Sequence, residues 1–346
     1  MEIDRDLPFL IQAENVARYE AGHVIILDRR KYPQEIKFVD CAGYREVVQA
    51  IFDMVTQSYG PWLAAAYGMV SAAHEMKKQS NEQARAGLIS AAHTLAHARP
   101  TTSGGQKRHI EKILSICLDA LEKGEDIEEK SLSYVQGICE KRYREDQIIG
   151  KYAASLLPDK ARLLTQCFAE TLIGFTLLEA TRAGNHISLY CPETRPFLQG
   201  ARLTASISID LGIPTTVITD NMPAYLMSRG KVDVFACAAD VITLDGYVVN
   251  KVGTFQIALA AHYHHIPFYA LRDPSIDNPT IASVEIEERD PFESISVFGK
   301  RTTKDGVSGW YPAFDITPPH LVSAIISSKG IFSPWNIQKN WGENKL

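Results

Sequence analysis

The sequence predicts an α/β protein with a mainly helical N-terminal domain over residues 1–150 and a C-terminal Rossmann-like domain over residues 151–346, built on a doubly wound parallel sheet. Two observations lead to this class. Up to about residue 150, apolar and alanine-rich faces recur at helical spacing, and from about residue 151 short apolar runs alternate with helical segments. Such alternation is typical of parallel sheets with right-handed crossovers. A chain of 346 residues is also long enough for two domains.

The N-terminal domain begins with a small β-rich entry. Its strand candidates are Val24–Asp28 and Glu35–Val39, on either side of a turn that contains proline. Amphipathic or alanine-rich helices are predicted after them, at Tyr44–Thr56, Pro61–Lys78, Asn81–Ala98, Lys107–Lys123 and Ile127–Gly150. The third of these ends before Pro100, because proline cannot continue a helix.

The C-terminal domain is predicted to alternate strands and helices. The strand candidates are Arg162–Cys167, His186–Cys191, Thr215–Thr219, Val232–Ala238 and Pro267–Leu271. The helix candidates are Ala169–Arg182, Leu198–Asp210, Pro223–Arg229 and Thr254–His264. No GxGxxG motif follows the first strand, which disfavours a dinucleotide site.

The stretch 232–253 contains the end of a predicted strand and a candidate anion-binding site. Asp240 comes directly after the apolar run Val232–Ala238, where a buried parallel strand would end, and ligands collect outside the carboxyl ends of such strands. Asn250 and Lys251 precede the helical segment Phe255–His264. We expect Lys251 and the first N–H groups of that helix to face an anion. The alternatives are that Asp240 caps a turn and that Lys251 is an exposed lysine.

Cys167 and Gln199 occupy comparable positions. Cys167 ends the first strand candidate and precedes a helix, a position that favours the thiolate because the N-terminus of a helix stabilises negative charge. Gln199 opens another helix candidate. A cysteine, a carboxylic acid and phosphate-binding side chains in one crevice would suit proton transfer on a phosphorylated substrate. The alternative for Cys167 is a small apolar filler at the end of a buried strand.

Composition and charge exclude several classes of function. The net charge of -5 gives no electrostatic reason to expect a nucleic acid or an anionic membrane as a partner. No apolar run is long enough to span a bilayer, and the N-terminus carries acids where a signal peptide would carry basic residues, so we expect a cytoplasmic protein. Its 6 cysteines include no CxxC pair, so neither a disulfide framework nor a zinc site is indicated.

A set of longer motifs runs through nearly the whole chain. They are LDRRKYP at 27–33, AAAYG at 64–68, ARPT at 98–101, LLPDKARLLTQC at 156–167, ETRPFLQGARLTA at 193–205, DNMPAYLM at 220–227, AAD at 238–240, NKVGTFQIALAAHYHHIPFYAL at 250–271, IEERDP at 286–291 and FDITPPHLVSAIISSKGI at 314–331. Together they resemble the methylthioribose-1-phosphate isomerase family, which is related to the regulatory subunits of translation initiation factor 2B.

The resemblance implies an aldose-ketose isomerase that acts on a sugar 1-phosphate without metal or other cofactor. Cys167 and Asp240 match the residues that carry the family's chemistry. Asp240 would protonate the ring oxygen, and Cys167 would move a proton between C2 and C1 after ring opening; a hydride shift is the alternative. The matching substrate-binding residues are Arg99, Gln199, Asn250 and Lys251. The expected partners are a small-molecule sugar phosphate and a second copy of the chain in a homodimer.

Departures from the family pattern bear on the substrate. The family's Arg-Gly-Ala-Pro loop is replaced by 57–62, QSYGPW, and the residues after Cys167 and Asp240 also differ. We expect these changes to reshape the substrate end of the pocket and to favour 5-deoxyribose 1-phosphate, from salvage of 5'-deoxyadenosine, over the 5-methylthioribose 1-phosphate of methionine salvage. One alternative is ribose-1,5-bisphosphate isomerase, and the other is a non-catalytic sugar-phosphate binder like the regulatory subunits.

Overall fold

The computed structural model describes residues 1–98 and 103–341, with the side chains of all of these except 103–106. The chain divides into two compact units, Met1–Arg144 and Glu145–Leu346. One helix, Ile127–Ser155, continues through this division, and the expected boundary between residues 150 and 151 falls within the same helix.

The N-terminal unit opens with a small antiparallel sheet and continues in helices. The strands are β1 (Ala17–Glu20), β2 (His23–Leu27) and β3 (Phe38–Cys41), in the order β1-β2-β3. The helices are α1 (Ala13–Val16), α2 (Tyr44–Phe52), α3 (Gly60–Met76), α4 (Asn81–Ala96), α5 (Ser103–Lys123) and α6 (Ile127–Ser155). The start of α4 is fixed by a capping box between Ser80 and Gln83. The strand β1 was absent from the sequence-based prediction.

The strands of the C-terminal unit belong to a large sheet, a smaller sheet and a short hairpin. The large sheet contains β4 (Arg162–Leu164), β5 (Ser188–Pro192), β6 (Thr215–Ile218), β7 (Val234–Ala238), β10 (Phe268–Leu271), β14 (Ala324–Ser327) and β15 (Gly330–Phe332). The smaller sheet contains β8 (Val241–Ile242), β9 (Val248–Lys251) and β13 (Phe314–Thr317), and the hairpin β11 (Ser296–Val297) and β12 (Lys300–Arg301). The helices are α7 (Glu170–Arg182), α8 (Ala205–Asp210), α9 (Pro223–Ser228), α10 (Thr254–Tyr263) and α11 (Ile337–Trp341).

The large sheet has the doubly wound topology that the sequence predicts. Its order is β15-β14-β10-β7-β4-β5-β6, and all neighbours are parallel except the antiparallel pair β14 and β15. From β4 the chain adds β5 and β6 on one side and then returns to add β7, β10 and β14 on the other. The topological switch point therefore lies between β4 and β7. The predicted α/β class is confirmed.

The smaller sheet corrects the expected position of Asn250 and Lys251. Both residues lie on strand β9, which pairs with β8 and β13, and helix α10 begins only at Thr254. The partner strand β13 is about 60 residues further along the chain. Local periodicity could not predict this pairing, because β9 is only four residues long and lies directly before helix α10, so that it was read together with the helix.

Apolar side chains cover both faces of the large sheet. One buried cluster includes Phe235, Ile257 and Phe268, and another includes Leu163, Ile173 and Val234. Strand β7 contributes to both clusters, as expected for a central parallel strand whose alternate side chains point to opposite faces. Among the residues described, no helix combines the length and the apolar character that crossing a membrane requires.

Candidate functional site

Cys167 and Asp240 meet at the switch point of the large sheet. Cys167 follows β4 and Asp240 follows β7, and these strands are parallel neighbours with Leu163 opposite Val234 and Leu164 opposite Phe235. The carboxyl ends of the two strands therefore lie side by side. A crevice at such a point is the usual ligand site of open α/β sheets.

The backbone holds Cys167 in an unusual conformation. Its φ of 59° is left-handed, and its carbonyl accepts a hydrogen bond from Thr204 Oγ1 at 2.5 Å. A left-handed residue other than glycine is strained and is held in place by its surroundings. Thr204 belongs to a π-helical turn, Gly200–Thr204, that begins directly after Gln199. This contact ties the Gln199 segment to the backbone of Cys167.

The expectation of a stabilised thiolate at Cys167 is wrong. Burial raises the pKa of the Cys167 thiol to about 11. Lys251 and Arg289 lower this pKa, whereas the carboxylate of Asp240 raises it. Helix α7 begins at Glu170 rather than directly at the cysteine, and desolvation outweighs the favourable charges. The folded protein therefore carries a protonated Cys167 thiol at neutral pH.

Asp240 is partly buried beside the smaller sheet. Its backbone N–H donates to the carbonyl of Val249 at 2.9 Å, which places it near the end of β9 and hence near Lys251. Its charge affects the ionisation of Cys167, Cys237 and Arg289. The structure thus brings the predicted acid-base pair together in one electrostatic environment.

Lys251 is a buried cation within this cluster. Its side chain packs against aromatic rings, with Nζ 4.7 Å from the ring centroid of Phe314 and 5.8 Å from that of Tyr311. Only 4% of the residue is exposed. Burial of a lysine at the carboxyl edge of the sheet is expected where an anion binds.

Asn250 is oriented by its neighbours on two elements. Its Nδ2 donates to Sγ of Cys237 at 3.4 Å and to Oγ1 of Thr254 at 3.0 Å. The Thr254 hydroxyl in turn donates to the carbonyl of Lys251 at 2.7 Å. Because both amide hydrogens of Asn250 are used in this way, its Oδ1 is the atom left to accept a hydrogen bond from a ligand.

The N-terminus of helix α10 is occupied by a side chain rather than left for an anion. The Asp315 carboxylate accepts hydrogen bonds from the N–H of Gly253 at 2.7 Å and of Phe255 at 3.1 Å. The register of β13 against β9 places Asp315 opposite Asn250. This corrects the expectation that the first N–H groups of the helix face a substrate anion, since Asp315 already supplies the negative charge that the helix dipole favours.

Asp315 makes the stability of the fold depend on pH. Burial raises its pKa from 3.8 to about 6, against the lowering effect of its N–H donors and of Lys251. The folded protein therefore binds this proton more tightly than the unfolded chain, so stability falls as pH rises from 4 towards 7. Relative to Asp315→Asn, the wild type should lose about 2 to 3 kcal/mol of its free energy of unfolding between pH 4 and pH 7. Urea unfolding of both proteins at several pH values in this range measures this loss. A difference in free energy of unfolding that stays constant with pH would contradict the prediction.

Gln199 is buried in a tightly built turn. Its Oε1 has no hydrogen-bond partner among the described residues, and 5% of the residue is exposed. At the next residue, Gly200, a Cβ atom would lie 1.9 Å from the carbonyl oxygen of Pro192 at the end of β5. Asp220, after β6, holds the preceding loop by accepting the N–H groups of Thr194 and Arg195, each at 2.7 Å. An unpartnered buried amide oxygen suits a ligand-binding role for Gln199.

The predicted substrate-binding residue Arg99 lies outside the described residues. Gln57 begins the segment 57–62 that replaces the family's Arg-Gly-Ala-Pro loop. It is 3% exposed, and neither its side-chain Nε2 nor its Oε1 is hydrogen-bonded within the described part of the chain. The neighbouring Ser58 is left-handed, with φ 57°.

Arg289 and Tyr311 were not among the site residues predicted from the sequence. Arg289 Nε lies 3.1 Å from Oε1 of Glu287, and both side chains are 11% exposed. Its guanidinium lowers the pKa of Cys167. Its position within the IEERDP motif was an available signal, whereas nothing local marked Tyr311. Across the residues that the structure describes, no group of three His, Cys, Asp or Glu side chains could hold a metal ion.

Comparisons with known proteins identify the relatives of this chain. Residues 56–334 match the Initiation factor 2 subunit family. The methylthioribose-1-phosphate isomerase of Desulforamulus reducens is 36% identical over 331 residues, covering 92% of this chain and 96% of that protein. The isomerase of the same name from Anaeromyxobacter sp. is 38% identical over 329 residues, covering 90% and 93%.

Solved structures show the same relationship. The crystal structure of 5-methylthioribose 1-phosphate isomerase from Pyrococcus horikoshii matches with a TM-score of 0.85 and 28% identity, covering 100% of both chains. That of translation initiation factor eIF-2B, subunit delta, from A. fulgidus matches with a TM-score of 0.81 and 29% identity, covering 94% of this chain and 98% of that one. The chain therefore belongs to the Initiation factor 2 subunit family, alongside the methylthioribose-1-phosphate isomerases.

Proposed function

We propose that the protein is an aldose-ketose isomerase that converts a 5-modified ribose 1-phosphate to the corresponding ribulose 1-phosphate. The observation that carries the proposal is the meeting of Cys167 and Asp240 at the switch point, beside the buried cation of Lys251. The names of the relatives support the reaction class.

The acid-base pair would act in the opening of the sugar ring and in the isomerisation that follows. Asp240, protonated, donates to the ring oxygen as the bond from that oxygen to C1 breaks. Cys167, as thiolate, then removes the proton from C2, which leaves a C1–C2 enol. The thiol returns this proton to C1 while the hydroxyl at C2 gives its proton to Asp240, so the ketone forms and both side chains are restored. A direct hydride shift from C2 to C1 is the competing route, and only proton transfer allows solvent deuterium to reach C1.

The substrate would be held by the polar residues around this pair. We propose that Lys251 offsets the phosphate charge and that Asn250 accepts a hydrogen bond from a sugar hydroxyl, while Gln199 and Arg99 complete the binding set. The buried positions of Lys251, Asn250 and Gln199 support their assignment. Among them, Gln199 Oε1 has no hydrogen-bond partner within the described residues, which is costly in a buried place unless a ligand binds there.

The orientation of Asn250 provides a test of this binding role. Thr254→Val removes the hydroxyl that accepts from Asn250 Nδ2, so the amide can rotate and its acceptor is no longer fixed. We expect KM for the sugar phosphate to rise about tenfold, equivalent to one lost hydrogen bond, with a smaller change in kcat. Thr254→Ser retains the hydroxyl and serves as the control. Equal KM values for wild type and the valine variant would contradict the prediction.

We propose 5-deoxyribose 1-phosphate as the preferred substrate, with 5-methylthioribose 1-phosphate as the alternative. The proposal is supported by the departures from the family pattern in the segment 57–62 and at the residues that follow Cys167 and Asp240. We further propose that the protein is a cytoplasmic homodimer, and light scattering of the purified protein would measure the mass of the assembly. A ribose-1,5-bisphosphate isomerase would need a second basic phosphate-binding site, which the absence of the family's arginine disfavours.

The second candidate function is a non-catalytic sugar-phosphate binder. The match to subunit delta of eIF-2B favours it. The presence of both Cys167 and Asp240 favours the enzyme. A turnover assay of the purified chain on 5-deoxyribose 1-phosphate, 5-methylthioribose 1-phosphate and ribose 1,5-bisphosphate, with Cys167→Ser as the blank, decides between them. We expect the highest kcat/KM on the first sugar. Binding of these sugars without turnover would support the non-catalytic role.

A further inference from the structure

Tyr311 lies close to Cys167 and to Arg289. It stands just before β13, where the chain pairs with the segment that contains Arg289. The N–H of Arg289 donates to the carbonyl of Tyr311 at 2.9 Å, and Glu288 forms a β-bridge with Pro312. The residue is 3% exposed. Its backbone is therefore fixed by long-range pairing rather than by a mobile loop.

The ring of Tyr311 lies near the loop that leads to Gln199 and near Lys251 on the smaller sheet. The ring centroid lies 6.3 Å from that of Phe197, in the loop that leads to Gln199. On the smaller sheet, Lys251 Nζ lies 5.8 Å from the same centroid. Cys167 is close enough to Tyr311 to raise the pKa of the phenol. The phenol thus stands among the side chains that are proposed to bind and transform the sugar.

The hydroxyl of Tyr311 is buried beside the Arg289 side chain. The Arg289 guanidinium lowers the pKa of this phenol, in part as a hydrogen-bond donor, although its position falls short of regular hydrogen-bond geometry, and within the described residues no group accepts the hydrogen of Oη. Buried hydroxyls normally find a partner, and an exception calls for an explanation such as catalysis or a missing ligand. Burial raises the pKa of Tyr311 to about 12, so the group remains an O–H donor at any working pH.

We propose that Tyr311 is a catalytic residue of the isomerase whose O–H donates a hydrogen bond to the oxygen at C2 of the sugar. This inference rests on the proposed function. The C2 oxygen gains electron density as its proton leaves for Asp240, and it becomes the carbonyl oxygen of the product. A preorganised donor in a desolvated site stabilises such developing charge more than water does. In the reverse direction the same donor polarises the ketone and makes the proton on C1 more acidic.

The isosteric variant Tyr311→Phe tests the proposal, with Tyr152→Phe on the exposed side of α6 as the matched control. We expect kcat to fall about 10- to 100-fold with KM within about twofold of wild type, because the interaction strengthens in the transition state. The melting temperature should change little, because phenylalanine keeps the buried ring and its contact with Phe197, and only the contact of Oη with Arg289 is lost. Replacement of Tyr311 by 3-fluorotyrosine, which keeps the donor, should retain activity.

The outcomes separate this proposal from the proposed function. An active wild type with unchanged kcat in Tyr311→Phe would overturn the role of Tyr311 alone. A raised KM with a lowered melting temperature would also overturn it, since those changes indicate a packing role. A wild type that turns over none of the sugar 1-phosphates would overturn the proposed function and, with it, the role of Tyr311.

Discussion

Asp240→Asn is expected to lower kcat on the preferred sugar 1-phosphate by about 10³-fold, within the range that general acid-base catalysis contributes. The amide neither donates a proton to the ring oxygen nor accepts one from the hydroxyl at C2, so both ring opening and ketone formation are impaired. The side chain keeps its size, and its neighbours Ala239 and Val241 are unaffected. We therefore expect the fold and the affinity for the sugar phosphate to remain close to wild type, as measured by circular dichroism and calorimetry.

Asp233 provides a matched control on the same strand. It precedes β7 at the amino end, whereas Asp240 follows the carboxyl end, and it pairs with Arg162 at 2.5 Å. This ion pair lowers the pKa of Asp233. Asp233→Asn should reduce stability modestly and leave kcat unchanged, because the amino edge of a parallel sheet does not carry the ligand site. More than a tenth of wild-type kcat in Asp240→Asn would remove Asp240 from the mechanism.

Cys167→Ser should lower kcat by about 10²- to 10³-fold, since a hydroxyl is a far poorer base than a thiolate for removal of the C2 proton. Alkylation by iodoacetamide should inactivate the wild type, and bound sugar phosphate should protect it. Cys41 also has a buried thiol, with a pKa raised to about 12, but it lies in the N-terminal unit. Cys41→Ser should remain active and equally sensitive to alkylation. A fully alkylated but active enzyme would refute the role of Cys167.

Because the pKa of Cys167 is raised, its reactivity as a thiolate should increase with pH. If the thiolate is the reactive form, its fraction increases about tenfold for each pH unit below about 11. Both kcat/KM and the alkylation rate of the free enzyme should therefore rise between pH 7 and 9. A flat profile over this range would favour the hydride shift, in which the thiol does not remove a proton.

The sequence predicts β4, β5, β6, β7 and β10 of the large sheet from their short apolar runs, but it does not predict β14 and β15. The same runs place Cys167 and Asp240 at the carboxyl edge of the sheet, although β4 ends at Leu164 rather than at Cys167. The ionisation of Cys167 could not be predicted in the same way. Its pKa depends on desolvation and on the charges of Lys251 and Arg289, which reach it from other elements.

The positions of Asp315 and Tyr311 could not be predicted from the sequence, because they depend on pairing between distant segments of the chain. Asp315 reaches the start of α10 only because β13 aligns with β9, and Tyr311 approaches the site only because its segment pairs with that of Arg289. Strand pairing of this kind is set by tertiary contacts, which local patterns do not encode. Gln199 was recognisable from its motif, but its unpartnered Oε1 is a property of the folded turn.

Because β4 and β7 are neighbours in the sheet, the distance between Cys167 and Asp240 does not depend on how many residues separate them in the chain. Neighbouring strands lie about 4.8 Å apart whatever their connection, so the sheet sets the distance across which the two side chains cooperate. The turns at Gly184 and Gly212 lead into the amino ends of β5 and β6, at the opposite edge, and each has open space around it. Insertions there could lengthen the chain during evolution without displacing one catalytic group from the other.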